Sequence, residues 1–176
     1  MVVFDSTILS LLLFLDASLG QLGSGDAVEF ARERVEGLVR ELEQAGEQVL
    51  IPAPALCEVL VTEGADFQEV LDVLSRSAFL RIGDFDQRAA VELAVRLREA
   101  IKKGDPREGL PITKSAMKFD RQIVAIALVH GASTIYSDDE ALRKFAQNCG
   151  LSVKKVSELP VPESQRPLPF PETNGS

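Results

Sequence analysis

The chain of 176 residues has no tryptophan, one tyrosine, one histidine and two cysteines. With His130 as its sole histidine, and no Ser or Cys in a recognisable arrangement beside it, a His-based nucleophile triad and a two-histidine ribonuclease are both excluded. His130 precedes Gly131 and reads as the C-terminal end of a helix. Cys57 and Cys149 lie among apolar neighbours without metal-ligand spacing. They read as small core residues, with neither a disulfide nor a zinc site expected, and a reducing cytoplasm is the simplest home. Long apolar runs are also missing: the longest, Ile8 to Leu15, is interrupted by Ser10 and falls far short of the ~18 residues a membrane span begins at. Asp5 arrives before any Lys or Arg, unlike the basic start of a secretory signal. A soluble protein without membrane contact is expected, its 45% hydrophobic content enough for one buried core.

Positive charge is scarce, the net being −8, which on its face opposes a nucleic-acid partner. The charge is uneven, however. Residues 26–47 carry seven acids against three arginines, whereas residues 102–121 carry Lys102, Lys103, Arg107, Lys114, Lys118 and Arg121 against three acids. The basic stretch closes on Asp120, so Lys114, Lys118 and Arg121 are candidates for contact with a phosphodiester backbone; as an isolated run it reads equally well as a solvated loop.

Short branched runs alternate with helical periodicity almost throughout. Strands are expected at Val2–Phe4, Val49–Ile51, Phe79–Ile82, Thr134–Tyr136 and Leu151–Lys155. Helices are expected from Ser6 or Thr7 to Leu15, from a cap at Asp26 to near Gly46, from about Ala55 with Glu58 in its first turn, from Asp66 to Ser77, from a cap at Asp84 to Lys103, from Thr113 to His130, and from Glu140 to Asn148. This alternation predicts an α/β three-layer sandwich with a mainly parallel central sheet and right-handed crossovers. The domain is expected over residues 1–157, followed by a Pro-rich tail over 158–176, where five prolines fall within twelve residues from Pro160.

Four acids stand where a strand stops or a helix begins: Asp5, Glu58, Asp120 and Asp139. In a parallel sheet the carboxyl ends of the strands share one crevice, so distant acids can meet there and hold a hard divalent cation through oxygen. Each acid has an ordinary alternative. Asp5 and Asp139 can cap helices, Glu58 can complement a helix dipole, and Asp120 can pair with Lys114 or Lys118. One shared cause covers all four.

Asp5-Ser6-Thr7 after the first strand, Pro52-Ala53-Pro54-Ala55-Leu56-Cys57-Glu58 after the second, the helix opening Phe119-Asp120-Arg121-Gln122-Ile123-Val124-Ala125, and Tyr136-Ser137-Asp138-Asp139 before a helix and Gly150 together resemble a PIN domain over roughly residues 1–157. The resemblance is strongest to bacterial stand-alone PIN proteins, including toxins of VapC-type toxin–antitoxin pairs. It implies a cytoplasmic, Mg²⁺- or Mn²⁺-dependent endoribonuclease that cleaves single-stranded or looped RNA to 5′-phosphate and 3′-hydroxyl ends. It implies Asp5, Glu58, Asp120 and Asp139 as the catalytic metal ligands, with Asp138 as an additional ligand or outer contact. Ser6, Thr7 and Ser137 are placed to orient the carboxylates. A cognate antitoxin is the implied protein partner. The apolar stretches Ile8–Leu15 and 67–79 offer contacts to it or to a second copy. Two other readings stay open. One is a PIN-fold binding module that does not cut. The other is a haloacid-dehalogenase-type phosphatase, for which Asp5-Ser6-Thr7 lacks the second Asp that family places two residues on.

Overall fold

A computed structural model describes residues 1–14, 28–62, 66–102 and 114–162, with the backbone alone for Thr62 and 114–117. Five short strands, β1 (Val2–Phe4), β2 (Val49–Pro52), β3 (Leu80–Gly83), β4 (Thr134–Tyr136) and β5 (Ser152–Lys154), form one sheet in the order β3-β2-β1-β4-β5. Every neighbouring pair is parallel, with Val3 opposite Leu50 on one side and Ile135 on the other. Helices α1 (Ser6–Leu13), α2 (Ala31–Gln44), α3 (Ala53–Thr62), α4 (Phe67–Arg76), α5 (Gln87–Lys102), α6 (Lys114–Val129) and α7 (Glu140–Asn148) make the crossovers. The result is the expected α/β three-layer sandwich.

Alternation along β1 sorts the layers. Val3 faces α6 with Leu50, Ile123, Ile126 and Ile135, all at most 2% exposed. Val2 and Phe4 face the other way, onto Ile8 and Leu11 of α1 and Val35 and Leu38 of α2. Because successive strand side chains point to opposite faces, three residues of β1 contribute to two cores. Tyr136 is buried on the second face, its ring edge-on to Phe4 with centroids 5.7 Å apart. Val156 and Leu159 pack there too, after a 3₁₀ turn at Val156–Glu158, so packing continues through Leu159. No helix among the described residues is long and apolar enough to cross a membrane.

Several expected boundaries move. The helix expected from about Ala55 begins at Ala53, with Pro54 in its first turn, where the missing N–H has no helical partner to lose. Glu58 therefore falls in the second turn. Helix α5 is capped by Asp86, whose Oδ1 accepts the Ala89 N–H at 2.9 Å, two residues after the expected cap at Asp84. Helix α2 begins at Ala31 behind Phe30, which takes a left-handed φ of 56°; the expected cap Asp26 lies outside the described residues, as do Leu15 and the loop at 104–112. Cys57, expected in the core, is exposed on the outer face of α3, and Cys149 is half-buried; neither forms a disulfide. The stretch Ile8–Leu11 is core, with Ile8, Leu9 and Leu11 at 0–1% exposure, so no partner can use it. Gly83 sits where β3 meets α6: a Cβ there would come within 2.9 Å of both Ile126 Cγ2 and Leu50 Cδ1.

Candidate active site

The order β3-β2-β1-β4-β5 reverses direction between β1 and β4, and at such a switch point the loops leaving the two strands part to open a crevice. Asp5 leaves β1 there, and Ser137, Asp138 and Asp139 leave β4. Glu58 on α3 and Asp120 on α6 reach the same place, since the burial-raised carboxyls of this group act on one another electrostatically.

Asp5 is 2% exposed and caps α1, its Oδ1 accepting the Ile8 N–H at 2.9 Å. Its pKa is pushed up to about 7, chiefly by burial and further by Asp138 and Asp139, against the lowering effect of hydrogen bonds from Ser137 and Ile8. Ser137, fully buried, links two acids: its hydroxyl bonds Asp5, and its Oγ accepts the Asp139 N–H at 3.1 Å. Asp139 caps α7 through Leu142 N–H at 2.7 Å. Glu58 is raised by burial and by Asp139, and receives a hydrogen bond from Ser6. Asp120 is raised to about 7 by burial and then by Asp139, Glu58 and Asp5, with Arg121 lowering it. Thr7 is buried on the first turn of α1.

Asp139 repels Asp5, Glu58 and Asp120 alike, which makes it the common member of the group. Asp138 is turned elsewhere: its Oδ2 accepts the Val156 N–H at 3.3 Å, and Lys155 and Arg143 supply the nearby positive charge. The tandem acids, inseparable in sequence, therefore take different surroundings.

The basic candidates fare differently. Lys118 is exposed, and no ion pair joins it to Asp120 among the described residues. The side chain of Lys114 lies outside the described residues. Arg121 is corrected: it is 5% exposed, with its guanidinium 4.9 Å from the centre of the Phe145 ring. An aliphatic stem and a flat cation let Arg lie against apolar surface, so Arg121 joins α6 to α7 and is not a rim contact. Arg143 and Lys155, absent from the sequence candidates, stand beside Asp138. Their signal was available: residues 141–157 contain four bases and no acid.

No group of three or more His, Cys, Asp or Glu side chains among the described residues is arranged to hold a metal ion as it stands. The chemistry of the donors nevertheless fits a hard cation. All are carboxylate oxygens, and two have proton affinities raised first by burial and then by the neighbouring carboxylates, a proton then serving where a cation would.

A doubly wound α/β protein with its acids at the switch point is thus defined. No family model matches the sequence, and no curated protein does. Among solved structures, the chain is similar to VapBC2 from Rickettsia felis bound to a DNA fragment from the promoter, with a TM-score of 0.55 and 16% identity over 88% of this chain and 98% of that one. It is likewise similar to DNA-bound VapBC from Salmonella typhimurium, with a TM-score of 0.53 and 16% identity over 88% of this chain and 97% of that one. The likeness gives the fold, which is the VapC-like PIN fold.

Proposed function

We propose that the chain is a divalent-metal endoribonuclease and the toxin of a toxin–antitoxin pair. The observation that carries this reading is the convergence of Asp5, Glu58, Asp120 and Asp139 on the switch-point crevice, with Asp5 and Asp120 held at about pKa 7. Mutually repelling buried carboxylates are costly to a fold, and a divalent cation offsets that cost. Similarity to VapBC complexes supports the partner half of the proposal.

The residues divide the work. Ser137 orients Asp5 and ties it to the backbone of Asp139, while Ser6 orients Glu58. The N–H groups of Ile8 and Leu142 each bond a single oxygen, Oδ1 of Asp5 and Oδ1 of Asp139 respectively. Mg²⁺ or Mn²⁺ bound by these acids would supply a water of lowered pKa and charge neutralisation at the phosphate. Asp120, with no hydrogen bond holding its carboxyl among those found in the described residues, is the acid freest to swing toward the ion. Single-stranded RNA would be held chiefly through its phosphate backbone, since the chain has no Trp and its one Tyr is buried. The antitoxin would use the cavity of about 330 Å³ between Leu12, Leu13 and Phe14 at the α1 end and Val70 and Val73 of α4, which Asp66 and Glu69 also line.

Product chemistry tests the reading. Fragments made in Mg²⁺ should carry a ligatable 5′-phosphate and a 3′-hydroxyl; a 2′,3′-cyclic phosphate would sink it. The one observation favouring a second reading is that no three of these carboxylate side chains, among the described residues, are arranged to hold a metal ion. Should they remain so in saturating Mg²⁺, a PIN-fold binding module that does not cut is what remains.

A further inference from the structure

Glu140, the first residue of α7, directly follows Asp139. Its Oε2 accepts from Arg143 Nη1 at 2.9 Å and lies 3.9 Å from Lys155 Nζ, so one carboxylate bridges two cations that are twelve residues apart. The fold creates this meeting. Strand β5 runs beside β4 with Lys154 opposite Tyr136, and the Ser137 N–H donates to the Lys154 carbonyl at 3.0 Å, which delivers Lys155 to the same sheet edge as Ser137 and Asp139.

Two features suggest that the bridge is a placeholder. Glu140's side chain is 69% exposed, and ion pairs in water hold weakly. Arg143 is mostly covered, and its Nε is buried without a hydrogen-bond partner among the described residues. A guanidinium presents its donors as a planar fork suited to two oxygens of one anion, and here the outward part of the fork is engaged through Nη1, by Glu140. Other nearby acids are engaged elsewhere: Asp138 accepts from Val156, and Glu158 is turned back to accept the Lys155 N–H at 2.6 Å. The segment 141–157 carries Arg143, Lys144, Lys154 and Lys155 without an acid, in a chain of net charge −8.

We propose that Arg143 and Lys155 form a phosphate-binding subsite for the backbone of single-stranded RNA, occupied in the free protein by the Glu140 carboxylate. The subsite rests on the nuclease reading and directs the strand over β5 and the start of α7, away from the basic stretch at 102–121. RNA binding exchanges one anion for another: the phosphate takes the two cations, and Glu140 swings into water.

The test is anisotropy of a fluorescein-labelled single-stranded RNA with the full chain in EDTA, across a series of KCl concentrations, each variant first shown to be folded by circular dichroism. Each lost phosphate contact should lower the salt slope by about 0.7, which is about a fourfold loss of affinity at 0.15 M salt. Arg143→Gln and Lys155→Gln should each show that loss. Glu140→Gln should bind about twofold or more tighter, and Arg81→Gln, on the opposite edge strand β3, should match wild type. Wild-type slopes and affinities for both cation variants, in a protein that binds RNA, would overturn the subsite and leave the nuclease reading standing. Tighter binding of duplex DNA than RNA by wild type would overturn it as well. No RNA binding by wild type at any salt would remove the nuclease reading and the subsite with it.

Discussion

Replacing Asp120 by Asn should stabilise the metal-free protein, and only above a particular pH. The Asp120 carboxyl has a pKa of about 7 in the fold against an ordinary 3.8, because burial and then Asp139, Glu58 and Asp5 oppose its charge. A group that holds its proton more tightly folded than unfolded makes stability fall as pH rises through the interval between the two values, after which the loss is constant. About three pH units at 1.36 kcal/mol each give roughly 4 kcal/mol as the ceiling, and partial exposure to water lowers that to about 2–3 kcal/mol. Asn cannot ionise, so the advantage of Asp120→Asn should be near zero at pH 4, grow between pH 4 and 7, and level off above. For a chain of this size, that corresponds to a Tm higher by roughly 5–10 °C at pH 8. Thermal unfolding in EDTA from pH 4 to 8.5 reads the difference directly. Mg²⁺ should then raise the wild-type Tm and leave the variant's unchanged, since a ligand stabilises only the state that binds it. A variant equal to or less stable than wild type at pH 8 would refute the reasoning, because Asp120 would then carry no uncompensated charge.

Ser137→Ala should lower Mn²⁺ affinity by about 10–100-fold, as losing a carboxylate's orienting partner commonly does, and calorimetric titration checks it. The same change removes a bond that lowers the Asp5 pKa, so the pH at which metal binding is half-complete should move up. Gly83→Ala should destabilise by about 1–3 kcal/mol, from contacts of 2.9 Å with Ile126 and Leu50 that force a repacked core, measurable by urea unfolding. Cys57 should react with a thiol reagent in the native state well before Cys149, seen as two phases separable with Cys57→Ser.

The parallel sheet was legible because each strand is a short branched run bounded by Gly, Pro or Asp, and the helices between show clear periodicity. The positions of Asp5 and Asp139 were legible for the same reason, as Asp5 is the first polar residue after a buried strand and Asp139 ends the polar link Ser137-Asp138-Asp139 between another strand and α7. What they do locally, capping α1 and α7, coexists with the crevice position, since capping occupies a single oxygen of each. Glu58 was misplaced by a turn because proline breaks a helix inside it but favours its start, and Pro54 is at the start. Arg121 read as a rim charge because sequence shows a cation's sign and not its surroundings; here the guanidinium lies over the Phe145 ring. Arg143 and Lys155 could not be paired from sequence: their meeting depends on which strand β5 lies against, a choice the local pattern of Ser152–Lys154 does not encode. The inward-facing expectation for Cys57 failed because apolar neighbours along a helix do not all share one face; Leu56 and Val59 point inward and Cys57 outward.

The most direct measurement is cleavage of an end-labelled single-stranded RNA by the purified chain, freed of any bound partner, in Mg²⁺, in Mn²⁺ and in EDTA, with Asp120→Asn in parallel. Cutting in either metal, none in EDTA and none by folded Asp120→Asn is the expected result; cutting that survives EDTA or the substitution, or a folded wild-type protein that never cuts, would contradict a carboxylate-metal ribonuclease.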